Sequence, residues 1–140
     1  MSDFAGLELA VDKPQRLIVL HPQNRQPIRD RDGNEAFIEL HSADSPIARR
    51  HQREIQRRRL NMRGRGKITP EELEAEATDL LVALTVSWRL IAPDGSPIDL
   101  PFSPENARKL YEAPSVAWLR EQVDEFAADR GNFMPPSSTS

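Results

Sequence analysis

The placement of its prolines constrains this chain more than any other feature. Pro46, Pro70 and Pro104 each follow residues able to cap a helix, and Pro114 follows a short apolar segment. Proline loses nothing at the first helical position, where its missing N–H would have no partner. A Ser, Thr or Asp just before it can accept one of the free amides of the first turn. The sequence therefore predicts four helix starts. Ser103 caps a helix from Pro104 whose Ala107, Leu110 and Tyr111 make a short apolar face. Pro114 stops that helix and opens another, along which Val116, Leu119, Val123, Phe126 and Ala127 recur at helical spacing.

Upstream, Ser42, Asp44 or Ser45 can cap a helix from Pro46 that runs to about Arg63, where Gly64-Arg65-Gly66 breaks it. Its apolar stripe of Ile47, Ala48, Ile55 and Met62, with His51 in register, is narrow, which predicts a peripheral helix. Thr69-Pro70-Glu71-Glu72 has the spacing of a capping box. Leu73, Ala77, Leu80, Leu81, Leu84, Trp88 and Ile91 then trace one wide apolar face, so this helix is expected to run until Pro93-Asp94-Gly95-Ser96-Pro97 turns the chain and to centre the core. Residues 98–102 are expected to be extended.

The first forty residues read differently. Leu17-Ile18-Val19-Leu20 and Ala36-Phe37-Ile38-Glu39-Leu40 are short β-rich runs, and between them Asp32-Gly33 favours a tight reversal, so a hairpin is expected. Leu7, Leu9 and Val11 alternate with Glu8, Ala10 and Asp12 and suggest an added edge strand. Two or three strands are not stable alone and must lean on helices. The predicted class is α+β: a small N-terminal antiparallel sheet or hairpin packed on a bundle of about four α-helices. One domain is expected over 1–133, strand-rich over 7–41 and helical over 42–133, with 134–140 as a disordered tail.

Composition removes several chemistries. The 140 residues contain no cysteine, which leaves no disulfide, thiolate nucleophile or Cys-based metal site. No run of residues approaches the ~20 apolar positions that span a bilayer, and Met1-Ser2-Asp3-Phe4 does not open a signal peptide, so a cytoplasmic protein is expected. The net charge of −3 hides an asymmetry: from Arg49 to Lys67 nine basic residues face one acid, Glu54, so this stretch carries +8 and the remainder −11.

The basic helix could bind nucleic acid by pairing guanidinium groups with phosphates. Its charges surround the helix, however, and no aromatic residue interleaves to stack on bases, which favours a solvated helix facing the acids Glu71, Glu72, Glu74, Glu76 and Asp79. His21, His41 and His51 stand in no recognisable metal-ligand spacing, and no metal or other cofactor is expected. His41, Ser42 and Asp44 lie where a helix cap is required, which accounts for them without a catalytic triad. Gly64 and Gly66 lack the lysine and hydroxyl continuation of a phosphate loop. No catalytic residue emerges, and the expectation is a protein that is not an enzyme. Trp88 is expected in the core, whereas Trp118 points off the stripe of the last helix, beside Tyr111 if the two C-terminal helices fold back on one another.

The combination of Phe102-Ser103-Pro104-Glu105-Asn106-Ala107, the helix Trp118-Leu119-Arg120-Glu121-Gln122-Val123-Asp124-Glu125-Phe126, and the closing Ala128-Asp129-Arg130-Gly131-Asn132-Phe133 resembles the tail assembly chaperones of long-tailed (siphovirus-like) phages and prophages. The resemblance covers roughly residues 69–133. It implies a small non-enzymatic factor of the bacterial cytoplasm that binds the tape-measure protein, helps recruit tail-tube subunits during tail morphogenesis, and is absent from the mature virion. Its contact surface is expected around Tyr111, Trp118, Leu119 and Phe126, with Arg49, Arg53 and Arg57 as a second contact; a homo-oligomer stays open, and a membrane partner is not expected. The alternatives are a structural tail or head-tail joining protein retained in the virion, and a nucleic-acid-binding protein using the arginine-rich helix.

Overall fold

Three of the four proline-marked helices begin with the same bond. In the computed structural model, which describes residues 13–62 and 66–133, Ser45 Oγ accepts from the Ala48 amide, Thr69 Oγ1 from Glu72 and Ser103 Oγ from Asn106, at 3.0–3.2 Å. Each fills one orphan amide of a first turn that opens on proline, and each contributes about 1 kcal/mol. These starts give α1 (Pro46–Asn61), α2 (Pro70–Leu84) and α3 (Pro104–Glu112). At the fourth, Pro114–Val116 is a single 3-10 turn before α4 (Ala117–Ala128).

The sheet has three antiparallel strands in the order β1 (Gln15–Ile18), β2 (Phe37–Leu40), β3 (Thr85–Arg89), with β2 in the centre. The α+β class and the pairing of the first two strands agree with the sequence. Asp30-Arg31-Asp32-Gly33-Asn34 does form a reversal: Asp30 Oδ1 accepts from the Asp32 and Asn34 amides, both at 2.9 Å, and Gly33 takes φ 86°. A second reversal precedes it, where His21 Nδ1 accepts from the Gln23 amide at 3.0 Å, so the segment around Ile28 lies between Val19 and Ala36. The alternating residues 7–12 and the tail 134–140 lie outside the described residues, as does most of the Gly64-Arg65-Gly66 break.

The third strand corrects the expected course of α2. The helix ends at Leu84, and Trp88 belongs to a strand; Ile91 lies beyond it in an isolated bridge with Pro97. Spacings of three, four and three residues through Leu81, Leu84, Trp88 and Ile91 fit a helix, but Thr85-Val86 is β-branched and β2 offers an open edge. The change takes place without a loop: the Thr85 amide and hydroxyl both donate to Leu81 O, Thr85 is already extended, and the His41 amide donates to Leu84 O at 2.8 Å. The segment expected to be wholly helical thus supplies one third of the sheet.

The core lies between the inner sheet face and the helices. Ile38 and Leu40 of β2, Leu84 of α2 and Val123 of α4 are all fully buried, joined by Tyr111 and Leu119. On the outer face Phe37 is also buried, because the Arg16 guanidinium lies 4.1 Å and that of Arg89 5.4 Å from its ring centre. The last described turn and the end of α4 are tied to the segment before α1: Ala43 donates to Ala127 O, Arg130 pairs with Asp44 at 2.8 Å, and Phe133 is fully buried edge-on against Phe126. Asp44 therefore anchors the last turn, while Ser45 is the cap.

One side chain joins the N-terminal reversals to the last helix. Gln122, buried on α4, accepts from the Leu20 amide at 2.9 Å through Oε1 and donates to Leu20 O at 2.8 Å through Nε2. Replacing it by leucine strands two part-buried backbone groups, so Gln122→Leu should lose about 2–3 kcal/mol of unfolding free energy in urea. An unchanged midpoint would contradict that role.

Candidate interaction surface

The residues singled out for partner contact divide between the interior and the surface. Tyr111 is 2% exposed and Leu119 5%, so neither can be an anchor in this fold. Thr85 Oγ1 spends its one proton on Leu81 O, so Tyr111 must donate in the 2.8 Å bond between the two hydroxyls. Tyr111 O in turn accepts from Arg120 Nη1 at 3.1 Å, and Arg120 pairs with Glu74 at 2.7 Å. This chain of bonds joins α2, α3 and α4. Trp118 and Phe126 are half-buried and pack on the edge of the core. The edge-to-face pairs among the described residues are Trp88–Phe102 and Phe126–Phe133; Tyr111 and Trp118 form none. Most of the expected aromatic contact surface is therefore packing inside the helical layer.

The arginines are on the surface. Arg49, Arg53 and Arg57 are exposed and stack four residues apart on the side of α1 turned away from Ala48 and Ile55. With Arg50 they fall within about 100° of arc on the helix. The charges do reach around the helix, since Arg59 lies on the α2 side and pairs with Glu76 at 2.5 Å. The outward four nevertheless make a basic stripe with no ion pair among the described residues. Only Glu76 of the five acids expected opposite α1 meets it; Glu74 turns to Arg120 and Asp79 to Arg108.

Sequence reasoning missed the largest surface feature. The last buried residue of α1 is Ile55 and the first of α2 is Thr78. Between them every described residue is exposed except Glu76, so the last two turns of α1 and the first two of α2 stand out from the core as a helical arm. It carries Leu60 at 64%, Met62 at 38%, Ile68 at 36% and Leu73 at 49% exposure. A groove of about 570 Å³ runs along it, lined by Met62, Ile68, Leu73 and Ala75 together with the bases Arg58, Arg59 and Lys67 and the acids Glu72, Glu76 and Asp79. Leu73 and Ala77 were read as core because their helical spacing continues that of Leu80 and Leu84. Spacing identifies a stripe, but not where along the helix its cover ends.

The histidines have separate surroundings. His21 holds a turn, and burial pushes His41 below its ordinary pKa; His41 Nδ1 and His51 Nε2 are buried with no hydrogen-bond partner among the described residues. No group of three metal-ligating side chains occurs among the described residues, and none of their helices is long and apolar enough to cross a membrane. Comparison with protein-family models, with curated proteins and with solved structures finds no match for this chain.

Burial pushes the Tyr111 hydroxyl from 10.0 up to about 12. Its protonated form is the one held in the fold, so its contribution is complete below the unfolded value and is lost as pH rises from 10.0 to about 12. At about 1.4 kcal/mol per unit, the protein should lose about 2–3 kcal/mol more stability than Tyr111→Phe over that interval. Parallel stability-versus-pH curves for the two proteins would contradict a buried, proton-donating Tyr111.

Proposed function

We propose that this protein is a non-enzymatic assembly factor of the tail assembly chaperone kind, acting on the tape-measure protein and tail-tube subunits of a long-tailed phage or prophage in the host cytoplasm. The observation that carries the reading is the pair of helices after Pro101 with the closing turn Arg130–Phe133, the stretch in which the resemblance resides. Such a factor shields apolar helices of a partner through a surface of its own, without bond chemistry. The arm between Ile55 and Thr78 is a surface of that kind, with exposed Met62, Ile68 and Leu73 and charges of both signs. It replaces the buried Tyr111 and Leu119 as the contact; the half-buried Trp118 and Phe126 lie at the edge of the core.

Co-expression with the tape-measure protein of the same phage or prophage should raise the soluble fraction of that protein several-fold, and mass spectrometry of purified particles should find this chain missing. A tape-measure protein that stays insoluble, together with this chain at stoichiometric level in particles, would overturn the reading in favour of a structural tail or head-tail joining protein.

The stripe of Arg49, Arg50, Arg53 and Arg57 favours a second reading, contact with a polyanion such as nucleic acid. Like charges four residues apart destabilise a helix by a few tenths of a kcal/mol per pair, and none of these four arginines forms an ion pair among the described residues. With four phosphate contacts, binding of duplex DNA should then fall about 10²-fold between 50 and 200 mM salt. No retention on a filter at low salt would remove that reading.

A further inference from the structure

The arm presents a physical problem that the rest of the fold does not solve. Helices this short gain most of their stability by packing one face, yet the last two turns of α1 and the first two of α2 bury no apolar side chain against the core, and the ion pair of Glu74 with Arg120 is what reaches α4. What joins the two limbs to each other is the ion pair between Arg59 and Glu76, about half exposed on the arginine side, and such exposed pairs contribute under about 1 kcal/mol. Four of the six large apolar side chains exposed among the described residues, Leu60, Met62, Ile68 and Leu73, lie on this arm. Their concentration in one place marks a surface that is covered in the working protein.

The charges indicate what covers it. From Gln56 to Asn61 α1 carries Arg57, Arg58 and Arg59 and no acid, whereas from Pro70 to Ala77 α2 carries Glu71, Glu72, Glu74 and Glu76 and no base. The groove is lined by Met62, Ile68, Leu73 and Ala75, with Arg58 supplied by α1, Glu72 by α2 and Lys67 by the segment between them, none of these three in an ion pair among the described residues. A two-fold axis through such a groove sets the basic limb of one copy against the acidic limb of the other, twice, while the apolar residues meet. A surface that is positive on one side and negative on the other is thereby complementary to itself. A uniformly acidic or basic partner would be repelled by one of the limbs.

We infer that the arm pairs with the arm of a second copy of this chain, the four helical limbs forming a short bundle that buries Met62, Ile68 and Leu73 and places Arg58 and Lys67 opposite the partner's Glu72. The bundle geometry is the ordinary one for antiparallel helix pairs, and it gives each limb the packed face it lacks in the monomer. The pairing is independent of the chaperone reading, since a tail factor or any other protein could form it. The basic stripe of α1 faces elsewhere and stays available to another partner.

The test is the mass in solution of the full chain. Light scattering after size exclusion, over a loading range of about 1–300 µM, should show a rise from the 15.9 kDa monomer to twice that mass. Leu73→Glu should leave the circular dichroism and thermal midpoint of the monomer unchanged, because Leu73 touches no core, and should weaken the dimer at least about 10-fold. Arg58→Glu and Glu72→Arg should each be monomeric alone, and mixing the two should restore a dimer of one copy of each, because positions 58 and 72 then carry opposite charges at both contacts. A wild type that stays monomeric across the range overturns the inference. So does a dimer indifferent to Leu73→Glu, or a mixture of the two charge variants that remains monomeric.

Discussion

The fold depends on the bond system around Thr85, where the chain passes from helix to strand without a loop. The Thr85 hydroxyl and amide both close on Leu81 O, which ends α2, while Tyr111 donates to that same hydroxyl from α3. Because β3 begins at this residue, the third strand follows α2 directly and pairs with the free edge of β2. Tyr111 O then receives Arg120 from α4. One threonine side chain thus ties together the sheet and two helices, and Arg120 ties the third to them. The bonds of the Thr85 hydroxyl to Leu81 O and to Tyr111 are buried, so losing one leaves a polar group without a partner and costs more than the bond contributes when intact.

Local chemistry was legible in the sequence, and tertiary context was not. Ser45, Thr69 and Ser103 could be read as caps because capping is decided by residues three positions apart, and the reversal at Asp30–Asn34 because one aspartate and one glycine supply what it needs. The end of α2 was misread because Leu81, Leu84, Trp88 and Ile91 suit a helix as well as a helix followed by a strand. The decision rests on β2, distant in the chain, whose open edge favours β3. The contact surface was misread for a related reason. Tyr111 and Leu119 lie on the apolar faces of their helices and were expected at the contact surface beside the off-stripe Trp118, yet whether such a face is covered depends on which helices meet, and α2, α3 and α4 meet there.

Charge in this molecule is sorted by element. In α1 the bases stand outward and at its end, with a single acid, while the first turns of α2 hold only acids. The longer-range pairs link separate parts of the chain: Arg108 of α3 with Asp79 of α2, Arg120 of α4 with Glu74 of α2, and Arg130 with Asp44 just before α1. These fasten the packed part. The arm keeps its basic and acidic limbs side by side with one such pair, and that arrangement, together with its exposed leucines, distinguishes it from the body. The body depends on apolar burial and a few buried hydrogen bonds; the arm depends on whatever it meets.

That division is the central claim, and amide hydrogen exchange read by mass spectrometry tests it most directly. Peptides from β2, the end of α2 and α4 should be slow at every protein concentration, because they open only with the whole body. Peptides covering residues 56–62 and 66–77 should exchange rapidly in dilute protein and slow markedly as concentration rises, as a second arm covers them. Slow exchange in those segments at all concentrations, equal to that of the core, would contradict the account.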